Sequence, residues 1–346
     1  MNDSKIIDAL LLPFERDLLQ TPERAFLMRA EPHEALREDW RSRLVCEQGF
    51  KPAYDRLVQA GFETVPRLDG RFAAGLVLLT KHKAENRANM ARAWILLEPG
   101  GVLVCCGANA LGAASHEREA ERVFGLAGSL SKHQARTFWI VRGTGAAPAE
   151  CAEWLAGAEP RPVEGCGLVA RAGCFSSDHV DKGSRLLMEC LPEGVAGRVA
   201  DLGAGWGYLS AEILRRFPAV TGIDLYEAEA LALEDARSNL GDDGRAAFHW
   251  LDVGAGLPKV EPQKFEPYDW IVSNPPFHEG RKADPAIGQG FITAAWKAIR
   301  RRGKFVLVAN RSLPYEAELR RRFREVTLLR EAEGFKVYLA SNRHDK

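Results

Sequence analysis

Apolar and polar positions in the second half of the chain follow two rhythms. Short runs rich in β-branched and aliphatic residues recur at 198–202, 220–224, 247–251, 268–273 and 304–309. Longer stretches with helical spacing lie between several of them, such as 208–217 and 227–240. Strands separated by helices predict a parallel sheet covered on both faces. Two later runs, 325–330 and 335–340, are joined by EAEG alone. A connection that short permits an antiparallel hairpin and forbids a parallel crossover. Seven strands, mostly parallel and ending in a hairpin, are therefore expected.

The first half repeats the pattern more weakly. GLVLLT (75–80), GVLVCC (101–106) and TFWIVR (137–142) read as strands, and an Ala-rich stretch, 84–97, reads as a helix. GGVLVCCG and RGKFVLVAN both follow a helix and a glycine turn, which suggests a duplicated α/β fold. The chain's 346 residues also exceed one typical core. The stretch 143–165 is rich in Ala, Gly and Pro and reads as a linker. The expected domains are thus 1–150 and 165–346.

Composition narrows the class of protein. Hydrophobic residues at 46% and charged residues at 27% suit a globular chain with a large core. Lys plus Arg balance Asp plus Glu at 47 each, so a nucleic-acid partner would need a local basic patch. No run approaches the ~18 apolar residues of a membrane helix. The opening segment, MNDSKIIDALLLPFERD, does not read as a secretory signal. Seven scattered cysteines without a CxxC pair suit a reducing cytoplasm and argue against a disulfide framework or a structural metal. Cys105 and Cys106 read as buried strand residues. The sequence carries no signal for oligomeric state.

Candidate chemistry begins at RVADLGAGWGYLSAEIL. A strand runs into Gly203, Gly205 and Gly207, and a helix follows. Glycines permit a tight turn and close approach of backbone to a ligand, and the helix start adds free N–H donors. The spacing is GxGxG rather than the GxGxxG of dinucleotide enzymes, and no Lys-Ser/Thr follows as in a P-loop. NAD nevertheless remains a competing ligand for this loop alone. Asp201 is placed to meet a cationic group of a cofactor, directly or through water. Asp224 is expected to end the second strand and accept ribose hydroxyls, and Asp252, after the third, to reach an adenine amino group. Each Asp taken alone could be a helix cap or turn residue.

The fourth strand ends in Asn274, Pro275, Pro276 and Phe277. Two prolines stop strand and helix alike and leave a rigid extended turn. The Asn274 side-chain oxygen and the Pro275 carbonyl offer two acceptors to an –NH2 group on a planar ring. Holding both hydrogens localises the nitrogen lone pair and aims it, without a strong base. Phe277 can stack on a base, which would have to be flipped out if paired. His278 and Glu279 read as a solvent-facing pair.

With these motifs in place, the chain resembles the small-subunit ribosomal RNA guanine-N2 methyltransferases, the RsmC type with its large-subunit relative. The likeness spans nearly the whole chain: AGCFSSDHVDKGSRLL, DLGAGWG, SNPPF, VANRSLPY and GFKVYLA in the second half, LLTKHKAENRANMARAWILLEPGG and SKHQARTFW in the first. The resemblance implies two tandem class I methyltransferase-like domains, Rossmann-like, with a degenerate N-terminal copy for RNA recognition. It implies S-adenosylmethionine as cofactor and ribosomal RNA or the small ribosomal subunit as partner. It also makes Phe175, Asp181, Gly183 and Ser184 secondary cofactor-side candidates, although they could equally be a helix cap and core residues.

Degeneracy agrees with the residues. No GxGxG follows AFLMRA, and Thr80-Lys81-His82-Lys83 stands where the NPP turn would stand. Lys81, Lys83, Lys132, His133 and Arg136 could then face RNA phosphates. The basic runs 297–304 and 320–324 read as helix ends and solvated faces. The NPP turn also serves enzymes acting on adenine N6 of DNA or RNA or on a protein glutamine amide, and a non-catalytic RNA-binding assembly factor is a further alternative.

Overall fold

The apolar runs condense into two sheets of one connectivity. The computed structural model describes residues 4–36, 38–257, 267–276, 278–279, 282–283 and 285–344. The chain divides into two compact units, Met1–Glu159 and Pro160–Lys346.

In the first unit the strands are β1 (Ala25–Met28), β2 (Leu44–Glu47), β3 (Glu63–Val65), β4 (Phe72–Leu78), β5 (Leu97–Ala108), β6 (Gly128–Lys132) and β7 (Ala135–Val141). Among the described residues they form one sheet in the order β3-β2-β1-β4-β5-β7-β6. The second unit's main sheet contains β8 (Gly197–Leu202), β9 (Val220–Glu227), β10 (Ala246–Trp250), β11 (Tyr268–Ser273), β12 (Ile299–Asn310), β13 (Phe323–Ala332) and β14 (Phe335–Arg343). Their order, β10-β9-β8-β11-β12-β14-β13, is the same order counted from the unit's own first strand. In both sheets the first five strands run parallel, and β7 or β14 runs antiparallel to both of its neighbours in the order. The fold is the tandem α/β duplication that the sequence led us to expect.

Strand periodicity sorts the second core onto two faces. Val199, Ile223 and Leu225 join the cluster on one face, which includes Leu209 and Ile213 of the helix Tyr208–Arg216. Ala200, Leu202 and Tyr226 join the other, which includes Phe291 of the helix Pro285–Ala298. Cys105 and Cys106 are fully buried in β5, and burial raises both thiols, that of Cys106 to about 11.

Several boundaries differ from expectation. The stretch 143–165 is not a bare linker, because Ala149–Ala156 is a helix of the first unit with Cys151 and Trp154 buried. Trp154 meets the Phe124 ring edge-on at 5.7 Å, so its apolar bulk outweighs the surrounding Ala and Gly. β9 extends to Glu227 rather than stopping at 224, and its helix begins at Ala230. The basic run at 297–304 lies mostly in β12, where Arg300 pairs with Asp269 and Lys304 lies over Trp270. Strands β2, β3 and β6 have three to five residues, too few to show a period.

Candidate active site

β8 and β11 are neighbours, and the chain order reverses between them. In an open α/β sheet the crevice at such a reversal, beyond the carboxyl ends of the strands, is where ligands bind. Leu202 pairs with Ser273, so Gly203 and Asn274 leave the sheet side by side. The Ser273 hydroxyl donates to the Leu202 carbonyl at 2.7 Å and ties the two ends together.

The glycine loop requires its glycines. Gly203, Gly205 and Gly207 have φ of 76°, 56° and 87°, the left-handed region that costs other residues ~1–2 kcal/mol. A Cβ on Gly203 would lie 3.1 Å from the Phe291 ring and 4.0 Å from the Asn274 carbonyl oxygen. A Cβ on Gly207 would lie 2.8 Å from Leu240 and 3.1 Å from Ala236, where two helices approach. Gly203 and Ala204 donate to the Tyr226 carbonyl, and Gly205 donates to Glu227 Oε2 at 2.7 Å. Trp206 is buried against Val163 and Ala170, and its Nε1 donates to the Phe175 carbonyl at 2.9 Å.

The acidic candidates separate. Asp201 is fully buried on the face of the helix Tyr208–Arg216, accepting from Ser210 at 2.7 Å through Oδ2. Its Oδ1 has no hydrogen-bond partner among the described residues. Burial pushes this carboxyl up to about 7, with nearby Glu227 adding to the rise and Ser210 opposing it. Asp224 does not end its strand. It lies on the opposite face, bonded to Arg198 at 2.6 Å and to His249 at 2.7 Å. Burial alone would raise its pKa, but the bonds from His249, Arg198 and Tyr268 lower it overall. Parity explains the correction: three residues on, Glu227 ends β9 on the Asp201 side. Glu227 Oε1 accepts from the Glu229 N–H at 2.8 Å, and desolvation raises its pKa against its backbone hydrogen bonds. Asp252 follows β10 and caps the short turn Val253–Ala255 by accepting from Gly254 at 2.8 Å.

Pro275 is buried and Pro276 exposed, while Phe277 lies outside the described residues. Asn274 Nδ2 donates to Asp181 Oδ2 and to Ser184 Oγ, both at 2.8 Å. Asp181 is also the N-cap of the helix Lys182–Cys190, a contact that contributes ~1 kcal/mol. Phe175 is exposed, 59% of its surface reaching solvent. The structure thus brings Gly203, Gly205, Glu227, Asn274, Asp181 and Ser184 to one edge, and removes Asp224 from it.

Comparison with known proteins identifies the family. The model of the methyltransferase small domain matches residues 165–339, half of the chain. The chain belongs to the methyltransferase small domain family. Among curated relatives, a ribosomal RNA small subunit methyltransferase C of Psychromonas ingrahamii is 34% identical over 48% of this chain and 45% of that protein. The chain spans about half the length of that relative. A protein of the same name from Shewanella sediminis aligns over 96% of this chain and 93% of its own length at 25% identity. Among solved structures, the T. thermophilus 16S rRNA N2 methyltransferase RsmC, in complex with AdoMet and guanosine, superposes with a TM-score of 0.76. It is 24% identical, covering 99% of this chain and 93% of that one.

The first unit of this family member has the same strand order without the same site. Arg29 follows β1 with φ of 59°, where Gly203 follows β8. After β4, the Thr80 N–H donates to Asn86 Oδ1 at 2.8 Å, and Asn86 Nδ2 donates to the Thr80 carbonyl at 2.7 Å. That side chain closes the turn, whereas β11 is followed by Asn274 and two prolines. Lys83 and Arg136 are engaged by Glu119 and Glu117, whereas Lys81, Lys132 and His133 are exposed. The sequence reading missed Glu227, whose signal was an acid at the start of a helical stretch. It also missed Asn239, which bonds both to Val169 and to the Trp206 carbonyl and staples the segment before the site to the loop. No helix among the described residues is long and apolar enough to cross a membrane.

Proposed function

We propose that this chain transfers a methyl group from S-adenosylmethionine to the exocyclic N2 amine of a guanine in small-subunit ribosomal RNA. The second unit would carry the chemistry and the first would recognise RNA, acting in the cytoplasm. The observation that carries the reading is the Asn274 amide, held by Asp181 and Ser184 beside the Gly203 turn. Two relatives named ribosomal RNA small subunit methyltransferase C, and an RsmC structure with AdoMet and guanosine, support the choice of substrate.

The residues fit the cofactor. The unpartnered Asp201 Oδ1 suits a cationic amino group reached through water. The loop at Gly203 and Gly205 leaves backbone where a side chain would stand, Glu227 supplies a carboxylate for ribose hydroxyls, and Asp252 an acceptor for adenine. When bound, S-adenosylmethionine supplies an electrophilic methyl group on a sulfonium. Asn274 Oδ1 and the Pro275 carbonyl accept the two hydrogens of the amine, fixing its plane and freeing its lone pair for attack. As the methyl carbon passed from sulfur to nitrogen, leaving a neutral thioether, the same acceptors would stabilise the positive charge that nitrogen gains, and the proton would then pass to water. Preorganised acceptors of this kind contribute ~3–4 kcal/mol in transition-state stabilisation.

Mass mapping of small-subunit ribosomal RNA from a strain lacking the protein tests the reading. One guanine should lose a methyl group, and adding the purified chain with S-adenosylmethionine should restore it. An unchanged methylation map would refute the proposal.

A further inference from the structure

We propose that Asp181 is a positioning residue for the transfer, selecting which end of the Asn274 amide faces the substrate. The inference rests on the function proposed above and adds to it. A side-chain amide has nearly the same shape with its oxygen and nitrogen exchanged. Its two ends are opposite in function here, because an –NH2 group needs an acceptor and is repelled by a second donor. Some neighbour must therefore break the symmetry.

Asp181 does so by chemistry rather than by shape. A carboxylate offers acceptors alone. Its Oδ2 receives the Ser184 N–H and Asn274 Nδ2, each at 2.8 Å. With the amide reversed, two oxygens would face each other across that distance. Ser184 Oγ takes a second contact from Nδ2, so both amide hydrogens have an acceptor and Oδ1 is the end left for the amine. Gly183 makes the approach possible, because a Cβ there would lie 3.0 Å from Asp181 Oδ2 and 3.1 Å from the Phe335 ring. Negative charge behind the N–H bonds also polarises the amide towards Oδ1, the atom that meets the growing positive charge on the amine. Asp181 and Ser184 thus act on the Asn274 clamp, where the sequence reading had placed them beside the cofactor.

Three variants separate the roles. Asp181→Ala should lower kcat about 100-fold or more, the scale of losing one preorganised contact, with S-adenosylmethionine Kd and RNA KM within a few-fold of wild type. Asp181→Asn keeps an oxygen without the charge and should fall between the two. Asp181→Ser keeps a helix cap, so it should recover melting temperature but not kcat. Wild-type kcat in Asp181→Ala, a loss confined to cofactor Kd, or recovery of kcat in Asp181→Ser would each overturn the proposal. A readout free of activity accompanies these. The Asn274 side-chain amide signal in a 15N spectrum, identified by its absence in Asn274→Ala, should exchange slowly in wild type and at the solvent rate in Asp181→Ala. Solvent-rate exchange in wild type would overturn the lock. If the wild-type chain transfers no methyl group, the proposed function falls while this exchange measurement still decides the lock.

Discussion

Gln48 stands in the first unit where Glu227 stands in the second. Met28, the last residue of β1, pairs with Glu47, and Gln48 is next; Leu202, the last of β8, pairs with Tyr226, and Glu227 is next. Each side chain accepts from the N–H two residues on, at 2.9 Å from Phe50 and 2.8 Å from Glu229. Their second contacts have opposite polarity. Gln48 Nε2 donates to the Ala30 carbonyl at 2.8 Å, whereas Glu227 Oε2 accepts from Gly205 at 2.7 Å. In the first unit the amide closes the loop with a donor, and the second acceptor proposed above for ribose hydroxyls is absent. Glu227→Gln would set an –NH2 group against a backbone N–H, since Gly205 and Glu229 both donate to this side chain, so it should loosen the loop and weaken S-adenosylmethionine binding by ~1–3 kcal/mol, the range for hydrogen bonds to charged groups. Calorimetry on wild type should give one site per chain; two sites, or an unchanged Kd in the variant, would contradict this account.

Asn274→Ala removes an amine acceptor and leaves the glycine loop intact. Methyl transfer should fall by a factor of ~100–1,000, with cofactor Kd within about threefold. Turnover with labelled cofactor checks the first and calorimetry the second. Wild-type turnover would remove Asn274 from the clamp.

Asp201 should make cofactor binding sensitive to pH. Its carboxyl, pushed up to about 7 by burial, is largely protonated below neutrality. Pairing with a cationic amino group favours the ionised form, so binding releases a proton. Affinity should rise with pH up to about 7 and then level off, changing by at most ~10-fold per unit below that point. Asp201→Asn should flatten this segment of the profile. A wild-type Kd that is constant from acid to neutral pH would exclude the linkage.

Gly203→Ala places a Cβ 3.1 Å from Phe291 at a φ of 76°. The backbone conformation alone costs ~1–2 kcal/mol, and relief of the contact requires the loop or the Phe291 ring to give by a few tenths of an ångström. The variant should melt lower and lose most cofactor affinity. Full affinity would mean that the loop does not touch the cofactor.

Asp224→Asn should act on stability instead. The bonds from Arg198 and His249 hold the Asp224 carboxyl below its ordinary value despite burial. A depressed folded pKa gives stability that is present above the unfolded value of about 3.9 and lost as pH falls through the folded value. The variant should lose ~1–3 kcal/mol at neutral pH, seen in denaturant melts, with cofactor Kd unchanged. A large change in Kd would return Asp224 to the site.

Local pattern was enough for the fold and for the place of the turn at the end of β11. The runs at 198–202, 268–273 and 304–309, the four-residue link at 331–334, the GxGxG spacing and the NPP turn are each set by residues close in sequence. Their periods, glycines and prolines act through steric limits on a few dihedrals. Which acid faces the cofactor edge was a different matter. It depended on where β9 ends, and a three-residue extension exchanges one sheet face for the other, replacing Asp224 with Glu227. The partnership of Asn274 with Asp181 spans 93 positions and arises because the helix Lys182–Cys190 packs beside β12 and β14, a contact that no local pattern encodes. Local sterics are written in the order of residues, whereas the pairing of distant polar groups is settled by how the sheet and its helices close around the core.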